Sequence, residues 1–394
     1  MRHTDIAIVG GGLAGATAAV MLGRAQVNSL LIDPHKVYPP DFRCEKIDES
    51  QVALLRKMRL TDAILPSTTP NTDIWLARFG RVVDKRPHDQ YGILYSDLVN
   101  TMRAAIPPAC EFLSGKVAAI TTSADRQILT LSNQDQISAR LVVLATGLNA
   151  GLRRSLGIER EHLSNGHSIS VGFDLLPIGR PSFAFRALTY FPEHVANRMA
   201  YFSLFPIGHG MRVNYFVYRD MRDPWIQALR TAPRTTIMTD LKRLKAIAGD
   251  FEVSSSVEIR PVDLYAVTGH RQSGVVLVGD AFSTSCPAAG TGVTKVFTDV
   301  ERLCNKFIPY WLASPGMDKE KIGEFYDDPI KQAADYHSIE RAVYLRSLST
   351  KPGPLWAYRR WVRFLGHLGI GTLRAMRKRA AIEPSSRLQP AVEQ

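Results

Sequence analysis

Residues Asp5 to Gly15 read DIAIVGGGLAG, and Ala16 to Asp33 continue ATAAVMLGRAQVNSLLID. Asp5 to Gly10 is a short apolar run ending in glycine, the pattern of a buried parallel strand. Gly11 to Gly15 predict a tight turn, Ala16 to Arg24 a helix of small residues and Ser29 to Asp33 a second strand, a β-α-β unit in about thirty residues. Within it Gly10, Gly12 and Gly15 form a G-x-G-x-x-G with Leu13 and Ala14 before the last glycine. The first glycine permits the turn, the second lets backbone approach a pyrophosphate, and the third allows close helix–strand packing. The helix start offers free N–H groups and a positive dipole end to phosphates. Asp33 ends the second strand 18 residues after Gly15, where an acid accepts hydrogen bonds from a ribose 2′-OH. The unit predicts dinucleotide binding; the plainer reading is a glycine-rich turn with no cofactor.

Two later stretches extend this. Gly279 to Gly292 reads GDAFSTSCPAAGTG, after the apolar run Val275 to Val278 and ahead of a helix expected from near Gly290. Leu141 to Ile158 reads LVVLATGLNAGLRRSLGI, a strand ending in Thr146-Gly147. Together the three stretches resemble the fingerprints of the aromatic-hydroxylase family, the class A flavoprotein monooxygenases. The resemblance implies that FAD is the cofactor, with Gly10, Gly12, Leu13, Ala14, Gly15, Asp33, Thr146, Gly147, Asp280, Pro287, Gly290, Gly292 and Val293 around it. Asp280 is expected to hold a ribityl hydroxyl. The Gly290–Gly292 turn is expected to bring N–H groups and a helix N-terminus to the pyrimidine edge of the flavin. The resemblance also implies that Arg43, with Lys46 as a nearby alternative, reaches the cofactor, and that Val117 meets the adenine. Arg43 read plainly is a solvated loop arginine.

The pattern departs from the family at Ser283 (usually His), Thr291 (usually Gln), Thr146 (usually Asp) and Tyr95, where many relatives carry Arg. The implied chemistry is NAD(P)H reduction of FAD, oxygen addition at the flavin C4a to give a hydroperoxide, and hydroxylation of an aromatic or lipophilic small molecule. The loss of the Asp before Gly147 bears on direct nicotinamide reduction. An FAD-dependent reductase or desaturase of isoprenoid-type substrates shares the motifs. So does a flavin halogenase, although no Trp-x-Trp-x-Ile-Pro run is present. A non-enzymatic FAD redox partner would fit the missing acid.

The rest of the chain organises around these motifs. A helix is expected over Glu45 to Met58, a hairpin over Asp73 to Arg86, a helix over Leu94 to Ala105, and strands over Lys116 to Thr121, Gln127 to Ser132 and Leu141 to Ala145. From Leu163 to Asp263 aromatic-rich strand patterns (Ile169 to Leu175, Phe183 to Tyr190, Met199 to Phe205, Arg212 to Tyr218, Ser256 to Tyr265) surround a helical stretch, Trp225 to Ala248, broken at Pro233. The reading is an α/β protein: a Rossmann-like FAD-binding domain with a parallel sheet (1–72, 88–162 and 264–340), an inserted mixed β-sheet substrate domain (73–87 and 163–263) and a basic C-terminal helical region (341–394). Most of the aromatic residues should be core. Tyr201 and Phe216 are candidates to line a pocket over the flavin, and Arg186 and Arg212 to bind a carboxylate or phenolate. No catalytic residue can be named. His162, His167, His209 and His337 are scattered, and Cys44 and Cys286 read more simply as small structural side chains than as reactive thiols.

The chain has 394 residues, 45% of them apolar and 22% charged, as in an ordinary soluble globular protein. It shows no apolar run long enough to span a membrane and no secretory leader. Its four cysteines show no metal-ligand spacing, and a reduced, cytoplasmic protein is expected. The net charge of +12 is concentrated: Arg341 to Ala380 holds ten Lys and Arg and no acid. This argues against a nucleic-acid groove across the fold and leaves a local contact with an anion or membrane surface. Pro354 to Leu373 sets Trp356, Tyr358, Trp361, Phe364, Leu365 and Leu368 beside Arg359, Arg360 and Arg363. Such a helix either lies in a membrane interface or packs its aromatic side on the flavin domain with its arginines solvated.

Overall fold

The computed structural model describes residues 1–43 and 45–382; Cys44 and the end of the expected C-terminal region lie outside them. The opening strand is Arg2–Val9, the helix Leu13–Arg24 and the second strand Ser29–Asp33. The helix starts at Leu13, three residues earlier than the pattern suggested, because Gly12 is its N-cap. Gly10 has φ +99, and a Cβ there would lie 2.6 Å from the Ala145 carbonyl oxygen; a Cβ on Gly15 would lie 1.8 Å from the Gly10 oxygen. Only glycine permits this approach of helix, turn and neighbouring strand.

Seven strands make the first sheet, in the order Cys110–Ser114, Ser29–Asp33, Arg2–Val9, Gln136–Leu144, Gln127–Leu131, Val117–Thr121, with Val275–Leu277 also paired to Gln136–Leu144. The pairings of Arg2–Val9 with both neighbours, and of Gln136–Leu144 with Val275–Leu277, are parallel. The three glycine-bearing turns therefore leave adjacent parallel strands at the same sheet edge, where α/β folds bind ligands.

The second sheet has nine strands in the order Phe251–Val253, Glu159–Pro177, Gly210–Val217, Met199–Ile207, Leu188–Tyr190, Thr69–Arg78, Arg81–Gly92, Lys46–Asp48, with Glu258–Thr268 paired to Glu159–Pro177. Its far face buries Phe173, Phe202 and Tyr215 against Ile226, Leu229, Ile237, Leu241 and Leu244. The helical stretch is three short helices, Pro224–Thr231, Pro233–Asp240 and Lys245–Ala248. Pro233 opens the second of them, at the position where a missing N–H costs nothing.

Several expectations are corrected. The helix expected from Glu45 is Glu49–Lys57: Asp48 caps it, accepting from the Ser50 and Gln51 N–H groups, with Gln51 returning to the Asp48 N–H. Before that cap, Lys46–Asp48 is a strand of the second sheet. Only Leu188–Tyr190 is strand within the stretch expected from Phe183, although Phe183 and Phe185 stack in the core with centroids 5.4 Å apart. Further on, Lys319–Tyr326 and Pro329–Thr350 are separate helices, divided where Asp328 caps the second. The chain's last described helix, Pro354–Ile382, lies on the second sheet and not on the flavin domain: Gly371 approaches strand Arg81–Gly92, where a Cβ would come within 2.2 Å of the Val83 oxygen. Among the described residues no helix is long and apolar enough to cross a membrane.

Gly10→Ala should cost about 1–3 kcal/mol from backbone strain alone, before the clash with Ala145. Urea unfolding would read this as a lower midpoint at unchanged slope.

Candidate active site

Two adjoining cavities, of about 150 and 290 Å³, run between the sheets and share Leu13, Arg43, Tyr95, Asp280 and Val296 as walls. Gly10, Gly12, Leu13, Ala14, Asp33, Arg43, Thr146, Gly147 and Asp280 line the smaller. Lys46, Pro287, Gly290, Gly292 and Val293 join Leu13, Arg43 and Asp280 around the larger. Gly15 lies beneath the first turn. Val117 lines neither cavity: it is buried in the sheet core on an edge strand.

The walls suit a dinucleotide. Helices Leu13–Arg24 and Gly292–Arg302 both start at the cleft, and neither N-cap (Gly12, Thr291) supplies a side-chain hydrogen bond. Their first N–H groups and dipole ends therefore remain available to anionic or carbonyl oxygens. A Cβ on Gly12 would meet nothing nearer than 3.9 Å, so there is room above the turn for a phosphate. Asp33 lines the cleft and also fixes the turn, accepting from the Gly11 N–H at 2.7 Å and the His35 N–H at 2.8 Å. Arg103 closes this corner, donating to the Gly11 oxygen at 2.7 Å and lying 3.3 Å from Asp33.

The motifs are tied together by side chains. Arg43 donates to Asp280 at 2.9 Å and to Asp41 at 2.6 Å. Burial pushes the Asp41 carboxyl up, but the guanidiniums of Arg43 and Arg260 outweigh this and hold it below the usual range. Arg153, from the middle motif and 1% exposed, donates to the Ala281 oxygen at 3.0 Å. Tyr95 lies against Arg43, its hydroxyl pushed up to about 12 chiefly by burial.

Beneath the Gly279–Asp280 turn lies a buried quartet. Asp299 accepts from the Gly279 N–H at 2.9 Å and from Lys331 at 3.0 Å; Lys331 reaches Asp335 at 2.9 Å, and Lys295 lies 3.5 Å from Asp299 and 3.3 Å from Asp335. Burial disfavours charge on Lys295 and Asp299, yet their opposite neighbours outweigh it, raising the lysine and lowering the aspartate.

The four residues expected on substrate are placed elsewhere. Arg186 is 72% exposed, with Asp73 at 3.9 Å as its ion partner. Arg212 is buried in a structural network, donating to Glu45 at 2.7 and 2.8 Å and to Glu258. Tyr201 donates to the Ala288 oxygen at 2.9 Å, and Phe216 packs against it in a cluster with Cys286. None of the four lines either cavity. The larger cavity is walled as well by Phe42, Gln90, Ser170, Arg260, Pro261 and Val262. The Ser170 hydroxyl and the Gln90 carbonyl oxygen are buried with no hydrogen-bond partner among the described residues.

The four histidines are not on these walls either. His167 is buried against Tyr218, its pKa lowered to about 4 by burial. Burial raises the Cys286 thiol, with Ser168 3.6 Å away, so it is not poised as a thiolate. Sequence reading missed Arg103, Arg153, Gln90, Ser170 and the buried quartet. Each is defined by contacts across the fold and carries no local spacing signal.

A flavoprotein dinucleotide site is thus defined by geometry, and comparison with known proteins agrees. Residues 3–311 match the family described as FAD binding domain, and the chain belongs to it. It is 26% identical over 309 residues to menaquinone reductase of Mycobacterium tuberculosis, covering 73% of this chain and 72% of that protein. It is 25% identical over 364 residues to 3-demethoxyubiquinol 3-hydroxylase of Escherichia coli, covering 84% and 88%. Among solved structures, p-nitrophenol 4-monooxygenase PnpA from Pseudomonas putida superposes with a TM-score of 0.76 at 17% identity, over 96% of this chain and 97% of that one.

Arg43→Met removes a charged donor from the cleft and leaves Asp280 unpaired. FAD binding, titrated by quenching of flavin fluorescence, should weaken by about ten- to a hundredfold.

Proposed function

We propose that this protein is an FAD-dependent monooxygenase that hydroxylates an aromatic or lipophilic small molecule, using NAD(P)H and O₂. The observation that carries the reading is the 290 Å³ cavity, which continues from the Asp280–Gly292 turn to a wall of the second sheet. FAD, when bound, supplies hydride acceptance and oxygen activation. Gly10, Gly12, Leu13, Ala14, Asp33 and Arg43 would hold its nucleotide part, with Gly15 packing the turn beneath; Thr146 and Gly147 would flank it, and Asp280 would hold the ribityl chain. Pro287, Gly290, Gly292 and Val293 would border the ring, with Lys46 at its margin. Phe42, Pro261 and Val262 exclude water and present apolar surface to a flat substrate. Ser170 and Gln90, buried and unsatisfied, orient a ring hydroxyl or carbonyl by hydrogen bonds. A cytoplasmic location peripheral to a membrane accords with a lipophilic substrate.

A second reading, reduction of an isoprenoid chain, is favoured by the similarity to menaquinone reductase. Purified holoprotein mixed with a phenol or with a menaquinone, then with NADH or NADPH and oxygen, separates them. Hydroxylated product formed with equal oxygen uptake supports the monooxygenase; a saturated product with no oxygen uptake supports the reductase and overturns it.

Ser170→Ala should raise KM for a hydroxylated aromatic substrate by about tenfold while leaving the flavin spectrum unchanged, the loss expected of one hydrogen bond to a buried group. Steady-state kinetics across substrates with and without the ring hydroxyl would test this.

A further inference from the structure

The helix Pro354–Ile382 packs one mixed face on the second sheet and leaves an apolar face uncovered. Its inner face mixes apolar and polar contacts: Phe364 packs on Phe79 with ring centroids 5.8 Å apart, Arg360 donates to the Leu348 and Lys351 oxygens at 3.0 Å, Arg374 pairs with the buried Asp84 at 2.7 Å, and His367 stacks on Phe191. Its outer face is apolar. Leu355, Tyr358, Val362, Leu365, Leu373 and Met376 are all exposed, Leu355 by 58% and Leu373 by 59%. At 3.6 residues per turn these six fall within a sector of about 80°, along a helix about 43 Å long. A surface helix ordinarily keeps charged and polar residues on its outer face, and a continuous apolar stripe there marks an interaction surface.

The charge around the stripe says what covers it. Arg341 to Ala380 carries ten cations and no acid. Arg359 flanks the stripe on one side, while Arg363 turns inward over the Phe191 ring at 5.6 Å. At its start the Trp356 ring lies between Lys351 and Arg359, at 5.5 and 4.7 Å. A second copy would bring like charges together, whereas an anionic lipid surface offers both apolar depth and phosphate charge. We propose that this outer face is a docking surface for an anionic bilayer, with the stripe among the upper acyl carbons and Lys351 and Arg359 at the headgroups. This rests on the peripheral location proposed above and assigns to it a surface and a lipid charge.

Flotation of the full-length FAD-loaded protein on vesicles tests it, with phosphatidylcholine alone compared with phosphatidylcholine mixed with phosphatidylglycerol. Wild type should float with the mixed vesicles and lose binding as salt rises. V362D/L365D should lower the partition coefficient by about tenfold or more, and K351Q/R359Q should lower both the partition and its salt dependence. These residues are exposed, so the FAD spectrum and unfolding temperature of the variants should match wild type. Wild type that stays with the lipid-free fractions would overturn the peripheral location itself. Undiminished flotation of V362D/L365D would leave that location standing and overturn this surface, and equal binding to phosphatidylcholine alone would overturn the assignment of lipid charge.

Discussion

The ion pair between Arg43 and Asp280 joins segments 237 residues apart, and the cleft has its shape because they meet. Neither residue belongs to the β-α-β unit that starts the chain, yet both stand over its helix N-terminus. Arg153 makes a parallel link from the middle motif to the Ala281 oxygen. Three turns that leave neighbouring parallel strands are thereby held as one frame. The pair also gives the cleft a positive group and a negative group at mid-length, suited to a cofactor whose pyrophosphate and polyol adjoin one another.

Below that frame, charge is balanced where water cannot reach. Lys295, Asp299, Lys331 and Asp335 form a neutral set, with three of the four fully or almost fully buried. Such a set gains little over an apolar core of the same shape, but removing one member leaves a buried charge uncompensated, at a cost of about 3–5 kcal/mol. Its effect is positional: Asp299 holds the Gly279 N–H, and with it the direction in which Asp280 leaves the sheet. Arg212 has the same character on the other side of the cleft, satisfying Glu45 and Glu258 and fixing the loop that carries Arg43.

What sequence made legible follows from how local each signal is. The first strand, turn and helix are specified within their own thirty residues, and so are the two later glycine motifs. The FAD family and the α/β architecture were therefore readable without coordinates. The helix start at Glu49 was misplaced because the Asp48–Gln51 capping box competes with an apolar pattern that begins earlier. Arg212 and Arg186 looked alike as cations in an apolar stretch. One is consumed by carboxylates from distant loops and the other is solvated, a difference only tertiary structure contains. Ser170 and Gln90 had no signal, since their importance lies in what they fail to contact. The final helix was recognised as basic and aromatic, but which face met the protein depended on Gly371 and Asp84.

The clamp at Gly371 and Asp84 fixes more than the helix. The same strand, Arg81–Gly92, carries Gln90 on the cleft wall six residues beyond Asp84. At the rise of an extended chain, the two points are separated by about 20 Å. One rigid strand thus sets the standoff between the helix and the reaction chamber. On the membrane docking proposed above, a ring embedded beside the helix would have to climb that height to reach the cleft, while a long hydrocarbon chain attached to it could remain behind among its neighbours.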